Sequence, residues 1–196
     1  MEYPKYFDPK KSLNLFGLEK DFNFLSSLYK VKRLPKILML SGIKGSGKST
    51  LANHFLFSIF DGKNYNKNEL NLLESSSFYN QFKNKIFQNI IYLKGLDFKS
   101  VNVEDIRNLK SQILQSSIIN NDRFIVLDDI ESFNISSLNA LLKIIEEPSQ
   151  NNYFILINNQ TKSLIDTIKS RSLVLKIILS EHKRLEIINK LIKLHN

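Results

Sequence analysis

The first residues with candidate chemistry are SGIKGSGKST, positions 41–50. Two glycines separated by four residues are followed directly by a lysine and a hydroxyl side chain: Gly42, Gly47, Lys48 and Ser49. Glycines let backbone N–H groups curl around phosphates, a lysine can reach the terminal phosphates, and a hydroxyl can ligate Mg²⁺. This spacing predicts a P-loop that binds a nucleotide with Mg²⁺; the alternative is a chance glycine–serine turn. The residues predicted to contact the nucleotide are Gly42, Gly45, Ser46, Gly47, Lys48, Ser49 and Thr50, with Ser49 also a metal ligand.

Two adjacent carboxylates, Asp128 and Asp129, follow the apolar run Phe124–Leu127. Parallel sheets bind ligands at the carboxyl ends of their strands, so a carboxylate here is well placed for phosphate chemistry. Beside a P-loop, Asp128 is predicted to hold Mg²⁺ through water, as a Walker B aspartate does. The alternative is an aspartate that only caps a turn.

Polar residues also follow two later apolar runs. Asn158 and Asn159 come after Tyr153–Ile157, where an amide could orient a water molecule or a phosphate, although Asn is also a common turn residue. Arg171 precedes the last apolar run. A single arginine is usually a surface cation, and it becomes an arginine finger only if it meets the phosphate of a neighbouring subunit.

These residues need a scaffold, and the apolar pattern predicts one. Five short, nearly continuous apolar runs rich in β-branched residues predict strands buried on both faces of a parallel sheet. Helical spacing between them predicts a doubly wound α/β fold. The predicted strands are Ile37–Leu40, Ile90–Leu93, Phe124–Leu127, Tyr153–Ile157 and Leu173–Ile178, and the predicted helices are Thr50–Phe60, Val103–Ile119 and Ser136–Glu146. Gly62–Asn89 is polar and weakly periodic, and it is predicted to be a long loop with room for one helix.

Composition limits the class of protein. The 196 residues contain no Cys, so neither a disulfide nor a thiolate metal site can form. No apolar run approaches the ~18 residues of a membrane helix, and the N-terminus MEYPKYFDPKK lacks a signal-peptide core. We therefore expect a cytoplasmic protein. The net charge of +9 is compatible with a nucleic-acid partner, but only five of 28 basic residues are Arg and the lysines are dispersed, so a compositional bias explains the charge equally well.

The second half of the chain resembles the clamp-loader branch of AAA+ proteins. That branch shows an aspartate-ended strand, Asn-Ala-Leu-Leu-Lys, Glu-Glu-Pro, a further apolar strand and Thr-Ile-x-Ser-Arg-Cys. The matching residues are Asn139–Lys143, Glu146–Pro148, Thr167–Ile168 and Ser170–Arg171, with Ser172 in place of the usual Cys. The resemblance implies a P-loop NTPase fold of the RecA-like AAA+ type, a three-layer sandwich with a five-stranded parallel sheet.

Within this family the chain is most similar to the δ′ subunits of bacterial DNA polymerase III. Active ATPases of the family usually carry Glu where Asp129 stands, as the base that orients the attacking water. Asp is shorter by roughly 1.3–1.5 Å, and misplacement on that scale can cost ~10²-fold in rate, so hydrolysis is expected to be weak. The missing cysteines also argue against γ/τ subunits, which usually carry a zinc module in the interval occupied here by Gly62–Asn89.

The family resemblance implies a function in loading a sliding clamp onto primed DNA. It implies ATP with Mg²⁺ as cofactors, γ/τ and δ subunits and the clamp as partners, and no membrane. Asp129, Asn158 and Arg171 would serve catalysis, with Arg171 acting on a neighbour's ATP. The family pattern also implies an AAA+ domain at 1–179, the start of a helical lid at 180–196, and the rest of the lid and a collar domain absent from this sequence.

Two other functions are compatible with the same residues. An autonomous AAA+ ATPase of a remodelling or helicase-loading type would use Asp129 as its base and turn over ATP without partners. A protein that only mediates interactions would keep the P-loop without using it, although the intact Gly42–Ser49 sequence argues against this.

Overall fold

A computed structural model of the chain describes residues 8–95, 101–115 and 122–195. These residues form two compact units. The helical unit comprises 8–34, 45–87 and 177–195, and the sheet unit comprises 35–44, 88–95, 101–115 and 122–176.

The elements follow in chain order. They are α1 (Glu19–Lys30), β1 (Ile37–Ser41), α2 (Lys48–Phe60), β2 (Tyr65–Asn66), β3 (Asn71–Leu72), α3 (Ser77–Lys83), β4 (Ile90–Lys94), α4 (Val103–Gln115), β5 (Arg123–Asp128), a 3-10 turn (Ile130–Ser132), α5 (Ile135–Ile145), β6 (Asn152–Asn158), α6 (Asp166–Ser170), β7 (Leu173–Lys176) and α7 (Glu181–His195). The last four residues of the predicted helix Val103–Ile119 lie outside the described part of the chain.

The sheet unit is built on five parallel strands in the order β4-β5-β6-β1-β7, so all five predicted strands are confirmed. Alternate residues of a strand point to opposite faces, and Leu38 and Met39 of β1 are both almost fully buried. The central strands are therefore covered on both faces, which explains their continuous apolar sequences.

The predicted length of the last strand was wrong, because β7 ends at Lys176 rather than Ile178. Among the described strands β7 pairs with β1 alone, and their pairing stops where Ser41 meets Lys176. Ser41 is the last residue of β1, and Ile178, beyond the pairing, is exposed although it is apolar.

One face of the sheet and the helices α4, α5 and α6 form a hydrophobic core. The strand residues in this core include Met39, Leu127 and Leu156. Leu141 of α5 is fully buried in it, and full burial of such a side chain stabilises the fold by about 1.5–3 kcal/mol. The start of α5 is set by Asn134, whose side chain accepts a hydrogen bond from the Ser137 N–H at 2.7 Å.

The interval predicted as a long loop is more ordered in the helical unit. It contains the expected single helix, α3, and also the short antiparallel pair β2–β3, which was not predicted. Two-residue strands are too short to leave an alternating pattern in the sequence. Aromatic rings from α2, α3 and the following segment pack edge-to-face or stacked: Phe57, Phe60, Phe78, Phe82 and Phe87. This aromatic packing supplies an apolar core in a cysteine-free segment.

His54 of α2 links the helix to two other parts of the helical unit. Its Nε2 lies 3.1 Å from the carbonyl oxygen of Ser12 and its Nδ1 lies 3.0 Å from the hydroxyl of Tyr65. A carbonyl can only accept, so Nε2 carries the proton and Nδ1 accepts from Tyr65. Burial lowers the pKa of His54 to about 4, which keeps the ring neutral at pH 7.

Helix α7 packs on the rest of the helical unit through residues of one face. Ile187 lies against Gly17, and the Lys190 ammonium lies 5.9 Å from the Phe16 ring centre. Three other apolar side chains of α7 are exposed, those of Leu185, Ile188 and Ile192, and Leu191 is half-buried. Among the described residues, no helix is both long and apolar enough to cross a membrane.

Candidate nucleotide site

The P-loop residues of the helical unit adopt the conformation that their glycines allow. Gly45 and Gly47 have φ values of 81° and 82°, in the left-handed region that L side chains avoid. A Cβ at Gly47 would also lie 2.9 Å from Leu18 Cδ1. Helix α2 starts at the next residue, so the N–H groups of its first turn have no partners within the helix and form a ready anion site.

Lys48, the predicted phosphate ligand, is the first residue of α2 and is only 2% exposed. Its Nζ donates to the Ser46 hydroxyl at 3.2 Å, and Ser46 is also buried. Burying an ammonium group is costly unless it has anionic or polar partners. This lysine, the glycine-rich turn and the helix N-terminus are the donor set that a nucleotide polyphosphate requires, so the residues present fit the predicted ligand.

The sheet unit brings the other predicted polar residues to one edge. Strands β5, β6 and β1 are neighbours, and the register pairs Ser41 with Asn158 and Asp128 with Ile157. The Gly42 N–H donates to the Asn158 carbonyl at 3.2 Å, which holds the end of β1 beside the end of β6. The carboxyl ends of the adjacent strands β5 and β6 therefore carry the two aspartates and the two asparagines, with Ser41 of β1 beside Asn158.

Asp128 lies at the end of β5 and is buried. One carboxylate oxygen accepts the Tyr92 hydroxyl at 3.1 Å, and the other accepts the Asp129 N–H at 3.0 Å. The second bond also gives Asp128 a role in the turn after β5. A role as a metal ligand and a role in capping the turn are therefore compatible. These two hydrogen bonds fix the orientation of the Asp128 carboxylate at the strand end, where a metal ligand is expected.

Asp129 is held in a strained backbone conformation. Its φ is 57°, which is uncommon for a residue other than glycine. Oδ1 accepts from Asn159 Nδ2 at 2.5 Å, whereas Oδ2 is buried without a hydrogen-bond partner among the described residues. A buried carboxylate oxygen without a partner is rare in folded proteins, which makes Asp129 a candidate functional group.

The asparagine that meets Asp129 is not the one favoured by the sequence. Asn158, predicted to serve catalysis, turns its amide toward Ser41 at 3.5 Å and accepts from the Gln160 N–H at 2.9 Å. Asn159 instead contacts the predicted base. Both asparagines follow the same strand in the sequence, and the tertiary structure gives them different partners.

Glu131 is a site residue that the sequence interpretation missed. It lies in the 3-10 turn after Asp129 and is buried. Its Oε1 accepts from the Asn159 N–H at 3.0 Å and from the Thr161 hydroxyl at 3.0 Å, which ties the segment after β6 to the segment after β5. The available signal was a third carboxylate within four residues in DDIE.

Arg171 lies at the C-terminal end of α6 within the sheet unit. Its Nη2 lies 2.8 Å from Oε1 of Glu146, and its Nη1 donates to the Thr167 carbonyl at 3.1 Å. The side chain is 39% exposed, so a molecule outside the unit can reach it. Within residues 8–95, 101–115 and 122–195, no three His, Cys, Asp or Glu side chains are grouped so that they alone could hold a metal ion.

A five-stranded parallel sheet with a P-loop after its first strand, and with carboxylate and amide groups on the neighbouring strand ends, defines a P-loop ATPase fold of the AAA+ class. The predicted fold class is thereby confirmed. The family model described as "DNA polymerase III, delta subunit" matches residues 17–180, and the chain belongs to that family.

Individual relatives agree with this assignment. The chain is 36% identical over 76 residues to DNA polymerase III subunit delta' of Buchnera aphidicola subsp. Baizongia pistaciae, covering 39% of this chain and 23% of that protein. It is 27% identical over 192 residues to DNA polymerase III subunit gamma of Buchnera aphidicola subsp. Schizaphis graminum, covering 94% and 50%. The matched region thus covers about half the length of the gamma relative and about a quarter of the length of the delta' relative.

A solved structure shares the fold. The Aeropyrum pernix ORC1 protein, determined in complex with DNA, superposes with a TM-score of 0.62 at 16% identity, covering 97% of this chain and 52% of that one. At this identity the similarity concerns the fold alone.

Proposed function

We propose that this chain is a δ′-like clamp-loader subunit of the bacterial DNA polymerase III holoenzyme. It binds ATP with Mg²⁺ at its P-loop and donates Arg171 to the ATP site of a neighbouring subunit during loading of the sliding clamp onto primed DNA. The main support for nucleotide binding is the left-handed Gly45 and Gly47 beside the buried Lys48 at the start of α2.

Each residue has a defined part in this proposal. Gly42, Gly45, Ser46, Gly47, Lys48, Ser49 and Thr50 hold the phosphates, and Ser49 and Asp128 hold the metal. Mg²⁺, when bound, neutralises phosphate charge. Asp129 orients water poorly, because its side chain is shorter than that of Glu by roughly 1.3–1.5 Å and one of its oxygens is already hydrogen-bonded to Asn159. The proposed division of labour is therefore ATP binding by this subunit with slow turnover, and stimulation of a partner's turnover.

Calorimetric titration with MgATP tests the first part. A lysine hydrogen bond to a charged group contributes about 1.5–3 kcal/mol, so Lys48→Ala should weaken ATP binding by roughly 10- to 100-fold. Lys63→Ala is the matched control, because Lys63 is an exposed lysine beyond the end of α2. Equal affinities for wild type and Lys48→Ala would eliminate the proposed P-loop function.

Steady-state turnover separates this proposal from the autonomous ATPase. The isolated chain should hydrolyse ATP slowly. Rapid turnover by the isolated wild-type chain, lost in Asp129→Ala, would instead favour the autonomous enzyme.

The action on a neighbour is tested in the complex assembled with partner clamp-loader subunits. An arginine finger typically contributes a factor of ~10³–10⁵ to the rate, so Arg171→Ala should remove most of the partner's stimulated turnover while assembly persists. Lys169→Ala is the control, since Lys169 is another half-exposed cation of α6 in an ion pair, with Asp166 at 3.0 Å. Normal partner turnover in Arg171→Ala would exclude the finger.

A further inference from the structure

Two segments that are distant in the sequence meet in the sheet unit. Glu146, in the Glu-Glu-Pro sequence, directly follows α5, and Arg171 directly follows α6. Their side chains form an ion pair with an Nη2–Oε1 distance of 2.8 Å. The same guanidinium donates through Nη1 to the carbonyl of Thr167, one turn earlier in α6.

These two contacts hold the guanidinium at two of its nitrogens. An arginine side chain has several freely rotating bonds, and holding it in one orientation costs conformational entropy that must otherwise be lost when a ligand binds. Anchoring by a carboxylate on one side and a carbonyl on the other makes that orientation part of the folded unit. The arginine is therefore preorganised before any phosphate arrives.

The ion pair is not buried as a structural element would be. The side chains of Arg171 and Glu146 are 39% and 46% exposed, so solvent screens the attraction between them. Exposed ion pairs of this kind contribute little to folding stability. The main effect of this contact is therefore to orient the Arg171 side chain, rather than to stabilise the fold.

We infer that Glu146 is a positioning residue for Arg171, holding the guanidinium in the orientation from which it reaches the phosphate of a neighbouring subunit. This inference rests on the proposed function, since it assumes that Arg171 acts on a neighbour's ATP. The pair stays accessible to solvent. A phosphate oxygen can therefore accept from the guanidinium N–H groups that Glu146 and Thr167 do not use, while Glu146 keeps its contact with Nη2.

The charge of Glu146 has a second possible effect, and the two effects have opposite signs. As an anchor, Glu146 raises the partner's turnover, because the arginine is already oriented. As a competitor for the guanidinium, it would lower that turnover. Replacement by Gln keeps an oxygen acceptor but removes the charge, whereas replacement by Ala removes both, so the two substitutions separate anchoring from competition.

The test measures stimulated ATPase of the complex reconstituted from the full-length protein and its partner subunits. A displacement of about 1 Å in a reacting group can cost up to ~10²-fold, and Glu146→Ala is expected to lower the partner's kcat by roughly tenfold with little change in KM for ATP. Glu146→Gln should stay within about threefold of wild type, because an acceptor for Nη2 remains. Glu147→Ala is the matched control: Glu147 is the adjacent exposed glutamate and has no ion pair among the described residues.

Thermal unfolding of each variant shows whether a loss of rate is a loss of fold, and Glu146→Ala should unfold within a few degrees of wild type. If Glu146→Ala fails to assemble, Glu146→Asp replaces it, with an intermediate loss of kcat expected because the carboxylate is withdrawn. The double variant Glu146→Ala, Arg171→Ala should be no slower than Arg171→Ala alone, because an anchor has no effect without the group it holds.

The outcomes distinguish this inference from the function on which it rests. Wild-type or higher turnover in Glu146→Ala, with turnover still lost in Arg171→Ala, would overturn the positioning role and leave the arginine finger in place. Normal turnover in Arg171→Ala would overturn both.

Discussion

Acidification should destabilise the fold through one buried imidazole, His54. The ring is fully buried between the rings of Phe57 and Tyr65, with centroid separations of 5.4 and 5.7 Å. Its Nε2–H donates to a backbone carbonyl and its Nδ1 accepts a hydroxyl proton, so a second proton on Nδ1 would both charge a buried ring and break the bond from Tyr65.

The size of the effect follows from the two pKa values. Burial lowers the pKa of His54 from 6.5 to about 4 in the folded protein. Between these values the unfolded chain binds a proton that the folded chain does not, so the free energy of unfolding falls as the pH falls. At about 1.36 kcal/mol per pKa unit, the full difference amounts to about 3 kcal/mol, a large fraction of the stability of a typical domain. This contribution is present above pH 6.5 and is lost as the pH falls toward 4.

Urea unfolding of wild type and His54→Gln, followed by circular dichroism at several pH values, isolates this contribution. Other groups titrate in both proteins, and their contributions cancel in the difference between wild type and variant. The free energy of unfolding of wild type relative to the variant should therefore fall by about 2–3 kcal/mol between pH 6.5 and pH 4.5. His182→Gln, which replaces an exposed imidazole, keeps His54 and should retain the loss on acidification.

A direct measurement complements the denaturation experiment. In an NMR titration of the native protein, the His54 ring should stay neutral down to a pH of about 4. A stability difference that does not change with pH, or a His54 ring that titrates near pH 6.5 in the folded protein, would refute the argument from burial.

Two substitutions in the sheet unit should also destabilise it. At Gly95, a Cβ would overlap the Ser132 hydroxyl and lie 2.8 Å from a backbone oxygen. Gly95→Ala should therefore lower the free energy of unfolding, measured in urea, by about 1–3 kcal/mol. The control Gly62→Ala, where the nearest atom would be at 3.2 Å, should cost less. Glu131→Ala should cost about 1–3 kcal/mol, because it removes the acceptor of the buried Asn159 N–H. Glu131→Gln, which retains an acceptor, should cost less, and equal losses for the two variants would argue against this hydrogen-bonding role.

The P-loop shows how far local sequence rules can reach. The need for left-handed backbone at Gly45 and Gly47 is a property of the loop itself, so glycine spacing followed by Lys48 could be recognised without any knowledge of distant residues. The same holds for the parallel strands, whose continuous apolar sequences follow from burial on both faces. These features depend on residues that are close in the chain.

The side-chain partners in the candidate site depend on residues that are far apart in the chain. Asp129 meets Asn159 rather than Asn158, and Glu131 joins the same group, because β5 and β6 lie side by side and alternate residues point in opposite directions. A one-residue change in register would exchange the two asparagines, and no periodicity in the sequence reports the register.

Arg171 depends on both the local sequence and the tertiary structure. The sequence by itself determined that the chain carries a P-loop, a five-stranded parallel sheet and the motif containing this arginine, because each is encoded by neighbouring residues. Only the tertiary structure decided that Glu146 is its partner, since that contact arises where the ends of α5 and α6 meet in space. Local steric and burial requirements can be inferred along the chain, whereas the pairing of individual side chains depends on how the elements pack.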